Sequence, residues 1–218
     1  MALAIFDLDN TLIAGDSDHS WGQFLVDQKL VDAEYFKQKN DEFYQDYVDG
    51  TLDMQAYLNF SLAPLAEYER SALDELHQTF MNDVVKGMML PKAQKLINQH
   101  RAQGDTLLVV TATNRFVTEP IVQSLGILHL LAIELEEADG KYTGKVRGVP
   151  SFKEGKVTRL NEWLEKNPHD LSEAYFYSDS HNDLPLLMLV GNPIAVDPDA
   201  TLKSHALAQG WQQISLRD

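Results

Sequence analysis

The sequence predicts an α/β fold: an open parallel sheet covered by helices on both faces, with a helical unit inserted near its start. Three observations lead there. A short apolar run over residues 1–6 breaks off at Asp7-Leu8-Asp9-Asn10-Thr11, as a buried strand does when its C-terminal end emerges at the sheet edge where open α/β proteins place their sites. From residue 91 onward, strand-like and helix-like segments alternate, which implies parallel strands joined by crossover helices. Between these regions lies a stretch of helical periodicity far longer than one crossover, for which a single helix within ~30 residues suffices.

Taken in order, the first strand is followed by four groups of apolar residues at helical spacing. These are Trp21, Phe24 and Leu25; Phe36, Phe43, Tyr44 and Tyr47; Met54, Tyr57, Leu58 and Leu62; and Leu73, Leu76, Phe80 and Val84. About four helices therefore fit between residues 15 and 88. The expected division is a core of residues 1–14 and 89–218 and a helical cap of residues 15–88. Pro91 and Gly104 bracket the next helix, proline at its first position and glycine past its end. A strand over 106–110, a helix stopped by Gly126 and a strand over 131–135 follow. Residues 136–147 read as a hairpin turning at Asp139-Gly140. An amphipathic helix after Gly155 carries Val157, Leu160 and Leu164. A strand over 174–177, a short helix over 184–190 and a strand over 193–196 complete the pattern.

Composition narrows the function classes. At 218 residues the chain is long enough for one domain with an insert. No apolar stretch approaches the roughly 20 residues of a membrane span, and residue 1 leads directly into the first strand with no export signal in view. It has no cysteine, hence no disulfides, thiolate nucleophile or thiolate metal site. These features point to the cytoplasm. A formal net charge of −15 argues against nucleic acid and anionic membrane partners, which need a positive footprint. Six of the seven histidines show no zinc-binding spacing, and the seventh, His181, reads as a loop residue open to water. Oligomeric state is not encoded in any recognisable pattern.

The chemistry-bearing residues sit at the ends of three strand-like runs. Asp7 and Asp9 lie two apart at the end of the first; such close acids repel each other unless a cation or proton stands between them. The pentapeptide also suits a capped loop. The run ending at residue 110 is followed by Thr111-Ala112-Thr113-Asn114, which reads as the opening of a helix where hydroxyls and backbone N–H groups bind phosphate, or where Thr111 caps the helix. The run over 174–177 ends in Ser178-Asp179-Ser180-His181-Asn182-Asp183. Lys156 opens the amphipathic helix after Gly155, with Lys153 as a rival and a solvated surface lysine as the alternative.

Four segments in this order resemble the motifs of the haloacid dehalogenase superfamily, subfamily IB, in its phosphoserine-phosphatase-like and histidinol-phosphatase-like branch. Asp7-x-Asp9-x-Thr11 is similar to the first motif, Thr111 to the second, Lys156 to the third and Asp179-x-x-x-Asp183 to the fourth. The resemblance spans residues 3 to about 197 and departs from the commonest forms at Ala112-Thr113, Ser178 and Ser180-His181. It implies a Rossmann-like core with an inserted C1-type helical cap, and a phosphomonoesterase with Mg2+ as cofactor and a small phosphomonoester as partner. Asp7 would be the nucleophile that forms an aspartyl-phosphate, and Asp9 the acid and base of the two half-reactions. Asp7, Asp179 and the carbonyl of Asp9 would hold the metal. Asp183 would orient Lys156 or metal-bound water, and Thr111, Ala112, Lys156 and Asn182 would bind phosphate or substrate.

Asp16-Ser17-Asp18 follows shortly after the first motif. In related phosphoserine phosphatases a carboxylate near this place faces the substrate's amine, and Asp16 is the closer match; the pair also suits a helix cap. Trp21 or His19 would supply a wall for the rest of the substrate. Arg70 is the one arginine of the insert, so an amino-alcohol phosphate such as histidinol phosphate fits better than phosphoserine. Phosphotransfer to an alcohol, or a non-catalytic binding module on the same fold, are the alternatives.

Overall fold

The computed structural model describes residues 1–217. In order, the elements are β1 (Leu3–Phe6), α1 (Ser17–Asp27), α2 (Ala33–Val48), α3 (Met54–Glu67), α4 (Arg70–Phe80), a π-helical turn (Met81–Val85), α5 (Lys86–Met88) and α6 (Pro91–Gln103). Then come β2 (Thr106–Asn114), α7 (Arg115–Ser124), β3 (His129–Ile133), β4 (Leu135–Ala138), β5 (Lys141–Val146), α8 (Glu154–Leu164) and β6 (Tyr175–Ser178). A 3-10 turn (His181–Asp183), α9 (Leu184–Leu187), β7 (Asn192–Val196), α10 (Ala200–Gln209) and β8 (Gln212–Ile214) close the chain.

Six strands form one parallel sheet in the order β3-β2-β1-β6-β7-β8, and β4 and β5 form a separate antiparallel hairpin. β1 is central and wholly buried, with β2 on one side and β6 on the other. Its alternating side chains divide the interior. Leu3 and Ile5 join Leu108, Val110, Phe176, Leu160 and Leu202 on one face, whereas Ala4 and Phe6 join Leu107 and Val109 on the other. The second face shares its apolar cluster with Trp21, Phe24, Leu58, Leu62, Leu73 and Phe80 from the helical insertion. Because successive strands are added outward from β1 first toward β3 and then toward β8, the order reverses between β1 and β6. The crevice at such a reversal, beyond the C-terminal strand ends, is where this architecture leaves room for a ligand.

Several expected boundaries move. β2 continues to Asn114, where a helix was expected to open at residue 111; the β-branched Thr111 and Thr113 extend the strand through a register shift against β3. The N-cap of α7 is Asn114, whose Oδ1 accepts from the Val117 N–H at 3.1 Å. Thr111 therefore does not cap a helix, and the Ala112 N–H is not at a helix start. The third strand spans His129–Ile133 and Leu135 already belongs to β4. The hairpin turns at Asp139 and Gly140, both at positive φ (51° and 79°), as a type I′ turn requires. Beyond residue 196, α10 and β8 were not anticipated. Asp199 caps α10 through the Leu202 N–H (2.8 Å) and Gly210 ends it in the left-handed conformation. β8 is a short, polar edge strand with a weak pattern.

Candidate active site

The ends of β1, β2 and β6 and the start of α8 converge on Asp7. Its backbone N–H still donates to the Tyr177 carbonyl (2.9 Å), so the strand ladder fixes the residue, while its side chain is buried. Lys156 is 1% exposed and lies between two acids: its Nζ is 2.8 Å from Asp7 Oδ1 and 2.7 Å from Asp183 Oδ1. Burial works against the ammonium, but Asp183 and Asp7 outweigh it and raise its pKa above the ordinary lysine value. Gly155 makes this approach possible, since a Cβ there would lie 2.0 Å from the Pro150 carbonyl oxygen. Lys153 points elsewhere, donating to the Gly50 carbonyl (2.9 Å) beyond α2.

Ser178 and Thr11 brace the acids around this centre. The Ser178 hydroxyl donates to Asp183 Oδ2 (2.7 Å), and the Thr11 hydroxyl donates to Asp179 Oδ1 while accepting from the Asp179 N–H (3.1 Å each). Burial, partly offset by Lys156 and reinforced by Asp183 and Asp9, pushes Asp7 up to about 7. Burial, Asp7 and Asp183 push Asp179 upward too.

Asp9 turns away from Lys156 and meets different partners. Its Oδ2 accepts from the Thr113 hydroxyl (2.8 Å) and its Oδ1 from the Ser17 N–H (2.6 Å) at the start of α1. Thr111 lies 3.5 Å from the same Oδ2. Burial and Asp16 push Asp9 up to about 6 against the pull of Ser17 and Thr113. Two acids with two surroundings can hold different protonation states, which is what a nucleophile and a proton carrier need.

Above the strand ends, α1, α2 and α3 close a chamber over Asp7, Asp9 and Thr111. Its other walls include Asp16, Asp18, His19, Phe43, Tyr44, Tyr47, Met54 and Tyr57. Asp16 is the N-cap of α1, its Oδ1 accepting from the Asp18 and His19 N–H groups (2.9 and 2.8 Å). Asp18 accepts from the Tyr57 hydroxyl on α3. Burial and the neighbouring Asp18 push Asp16 up to about 7. Asp18 is also pushed up to about 7, by burial and Asp9, with Tyr57 opposing.

The structure brings Asp7, Asp9, Thr111, Lys156, Asp179 and Asp183 together and places Ala112 on the chamber lining. Asn182 is held away from the chamber walls: it is 2% exposed and donates from Nδ2 to the Tyr47 carbonyl (3.0 Å), tying the turn after β6 to α2. Trp21 is not a wall of the site either. It is packed among Phe24, His77, Phe80 and Phe116 in the core, because the inward face of α1 at that turn meets α4 and α7 rather than the chamber. His19 does line the chamber, its ring tilted 40° against Tyr44 and bonded to Asp41 (2.8 Å). His181 is partly exposed, its side chain 20% open to water, and it is also tethered: its Nδ1 bonds Asp199 Oδ2 (2.8 Å) and its ring rests on Gly50. Arg70 pairs with Asp74 and Glu137 over the Tyr142 ring, outside the chamber.

Sequence reasoning missed Thr113 as a partner of Asp9, and Phe43, Tyr44, Tyr47 and Tyr57 as chamber walls. Thr113 was visible as the residue two beyond Thr111, on the same strand face. The aromatic residues carried only a helical spacing that core residues share.

Magnesium favours oxygen ligands and keeps several waters, needing one or two carboxylates besides substrate phosphate. Among the described residues no three His, Cys, Asp or Glu side chains form a ready metal-binding group. Asp7 and Asp179 supply two oxygen donors, both pushed up first by burial and then by neighbouring acids, Asp183 in each case and Asp7 in that of Asp179, and a dication between them favours the ionised forms. The donor set fits a hard divalent cation that completes its shell with water, backbone and phosphate oxygens.

Comparison with known proteins agrees with this geometry. The family model of the haloacid dehalogenase-like hydrolases matches residues 4–188, and the chain belongs to that family. It is 47% identical over 219 residues to a histidinol-phosphatase of Neisseria meningitidis serogroup C (strain 8013), covering 99% of each chain. A protein of unknown function from Bordetella pertussis Tohama I has the same fold with a TM-score of 0.92 and 42% identity, over 99% of this chain and 98% of that one. A substrate-bound phosphoserine phosphatase superposes with a TM-score of 0.71 at 18% identity, over 93% and 89% of the two chains.

Proposed function

We propose that this enzyme, a phosphatase of the haloacid dehalogenase-like hydrolases, cleaves a small amine-bearing phosphomonoester of the histidinol phosphate type, with Asp7 as nucleophile and Mg2+ as cofactor. The observation that carries the mechanism is the division of labour between Asp7 and Asp9. Lys156 holds Asp7 Oδ1, which leaves Oδ2 for in-line attack on phosphorus. The leaving alcohol takes the proton of Asp9, whose pKa of about 6 suits a group that gives a proton and then takes one from water. The acyl-phosphate formed on Asp7 is then hydrolysed by that water. Thr111 donates to a phosphate oxygen, and Lys156 neutralises charge as Asp183 keeps it in place. Mg2+, held by Asp7, Asp179 and the carbonyl of Asp9, would neutralise the phosphate and polarise phosphorus. The chamber supports the substrate class: it is lined by four acids and several aromatic rings with no lysine or arginine, which suits a cation and opposes a second anionic group.

The test is release of inorganic phosphate from histidinol phosphate, phosphoserine, phosphoethanolamine and glycerol phosphate, with Mg2+ and with a chelator. The expected order places histidinol phosphate first and phosphoserine well behind, with activity lost on chelation and restored by Mg2+. Equal turnover of phosphoserine and histidinol phosphate refutes the substrate class; turnover undiminished by chelation refutes the cofactor.

A further inference from the structure

We infer that Tyr47, carried by the helical insertion, is a catalytic residue whose hydroxyl donates to an oxygen of the phosphoryl group that Asp7 attacks; this rests on the Asp7 mechanism proposed above. α2 presents Phe43, Tyr44 and Tyr47 to the chamber from one face, and α3 adds Tyr57. The tips of these four rings are not equivalent. Phe43 has no polar atom, and the Tyr57 hydroxyl is given to Asp18. The Tyr44 hydroxyl faces Asn10, and the acid that acts on it most is Asp16. The Tyr47 hydroxyl faces the Ser180 side chain in the turn after β6, and the acids that act on it most are Asp7, Asp183 and Asp179 in that order. Of the four tips it is the one set beside the attacking carboxylate.

The chemistry has a place for such a donor. A phosphoryl group in transfer spreads its charge over three equatorial oxygens, and Lys156, one of the donors near it, is already shared between Asp7 and Asp183. A phenol adds a donor without adding a charge. Burial and the three nearby acids hold it well above the ordinary tyrosine value, with Ser180 opposing, so it remains protonated. Core residues fix its position. Asn182 donates from Nδ2 to the Tyr47 carbonyl (3.0 Å), the Phe152 ring lies 6.0 Å from the Tyr47 ring, and Lys153 holds the Gly50 carbonyl just past α2 (2.9 Å). Packing of the insertion on the core explains the ring, and the Asn182 bond goes to a main-chain atom that any residue carries; neither explains a hydroxyl held against the catalytic acids. Asn182 is a positioning residue, acting on the phosphoryl group through Tyr47, and the floor is complete only when α2 is seated on it.

The experiment compares Tyr47→Phe, Asn182→Ala and the double variant with the unmodified protein. In the first assay, kcat/KM is measured with Mg2+ for histidinol phosphate and for glycerol phosphate. Tyr47→Phe keeps the ring and is expected to lower both by the same factor, roughly 30- to 300-fold, as loss of one oxyanion donor does. Asn182→Ala should lower both by about 5- to 30-fold alone but by less than about twofold in the Tyr47→Phe background, because residues acting through one contact are not additive. In the second assay, inorganic phosphate is titrated by calorimetry in the presence of Mg2+, which requires no turnover. Tyr47→Phe is expected to raise its Kd at least about fivefold, with the melting temperature unchanged. A loss within about threefold on both esters, a loss confined to histidinol phosphate, or an unchanged phosphate Kd overturns the assignment. Equal losses from Asn182→Ala in both backgrounds would put Asn182 on the substrate directly and overturn its positioning role. Should Tyr47→Phe not fold, Asn182→Ala carries the phosphate titration, where an unchanged Kd has the same force. If the unmodified protein hydrolyses neither ester, the phosphatase mechanism fails, and the titration alone decides whether Tyr47 binds phosphate.

Discussion

The two ends of the chamber are built by opposite rules. At the floor, Asp7 lines the chamber while Lys156, Asp179 and Asp183 lie behind it, charged groups fixed by strand ends, the start of α8 and one another, with Lys156 2.8 and 2.7 Å from two acids. At the roof, Phe43, Tyr44, Tyr47 and Tyr57 come from α2 and α3, beside Asp16, Asp18 and His19 on the same lining. On the proposed mechanism the floor would serve one reaction on any phosphate ester, since its contacts would stop at the phosphate and the attacking atom. The roof can change its selectivity by exchanging apolar side chains at modest cost to the fold. On the proposed function, chemistry and choice of substrate would thus be carried by separate elements of a single chain, Tyr47 apart.

Substitutions that attack each end should separate these roles. The largest effect belongs to Asp7→Asn: an amide does not attack phosphorus, so phosphate release should fall by at least about 10³-fold with the circular dichroism spectrum unchanged. Activity above a few per cent in a folded Asp7→Asn protein would remove the covalent mechanism.

Next is Lys156→Ala, which strips the cation from two buried acids. Breaking a buried ion pair by deleting one partner costs about 3–5 kcal/mol, and turnover should fall roughly 10²- to 10³-fold as for the loss of one oxyanion donor. Urea denaturation and steady-state kinetics on the same preparation read both. A loss of activity with the denaturation midpoint unmoved would mean that the lysine is not the structural keystone its burial implies.

The third prediction concerns pH and metal. Asp7, Asp9, Asp16 and Asp18 have pKa values pushed up to about 7, 6, 7 and 7 from 3.8, so between about pH 4 and pH 7 the folded chain binds more protons than the unfolded one. Stability of the metal-free protein contributed by these groups therefore falls as pH rises through that window, the reverse of a salt-bridged carboxylate. Mg2+ needs the ionised forms of its ligands, so it should raise the urea midpoint more at pH 7.5 than at pH 5. Equal stabilisation at both pH values would show that the ion does not engage these acids.

The smallest effects compare two aromatic residues in the same helical insertion. Phe43→Leu, at the chamber wall, should raise KM for the preferred ester by up to about 10-fold with little change in stability. Trp21→Leu, in the core, should cost roughly 2–3 kcal/mol and leave KM within about twofold. An altered KM in the second variant would put Trp21 back beside the substrate.

The floor was legible because its residues carry local signals. Asp7, Asp9, Thr111, Lys156 and Asp179 each follow an apolar run or open a helix, and their order along the chain is a strong pattern even at large separations. Thr113 was hidden by the expectation of a helix at residue 111, where β-branched residues instead prolonged β2. The roof was less legible. Trp21, at the same helical spacing as true wall residues, was assigned to the substrate and lies in the core, whereas Tyr57 read as core and lines the chamber. One helical stripe looks the same whether it faces a core or a cavity. Asn182 and His181 were placed by motif position, yet their side chains bind α2 and Asp199.

By itself the sequence determined the parallel α/β sheet, the long helical insertion, the acids at the strand ends and the lysine at a helix start. Those depend on periodicity over neighbouring residues and on charges that a buried strand end must satisfy. Only the tertiary structure decided that Asp9 turns toward Thr113 and Ser17 while Asp7 turns toward Lys156, and that Asp16 caps a helix while Asp18 does not. Those outcomes depend on which of several competing hydrogen-bond partners, up to 149 residues apart in the case of Asp7 and Lys156, the packed helices bring within reach.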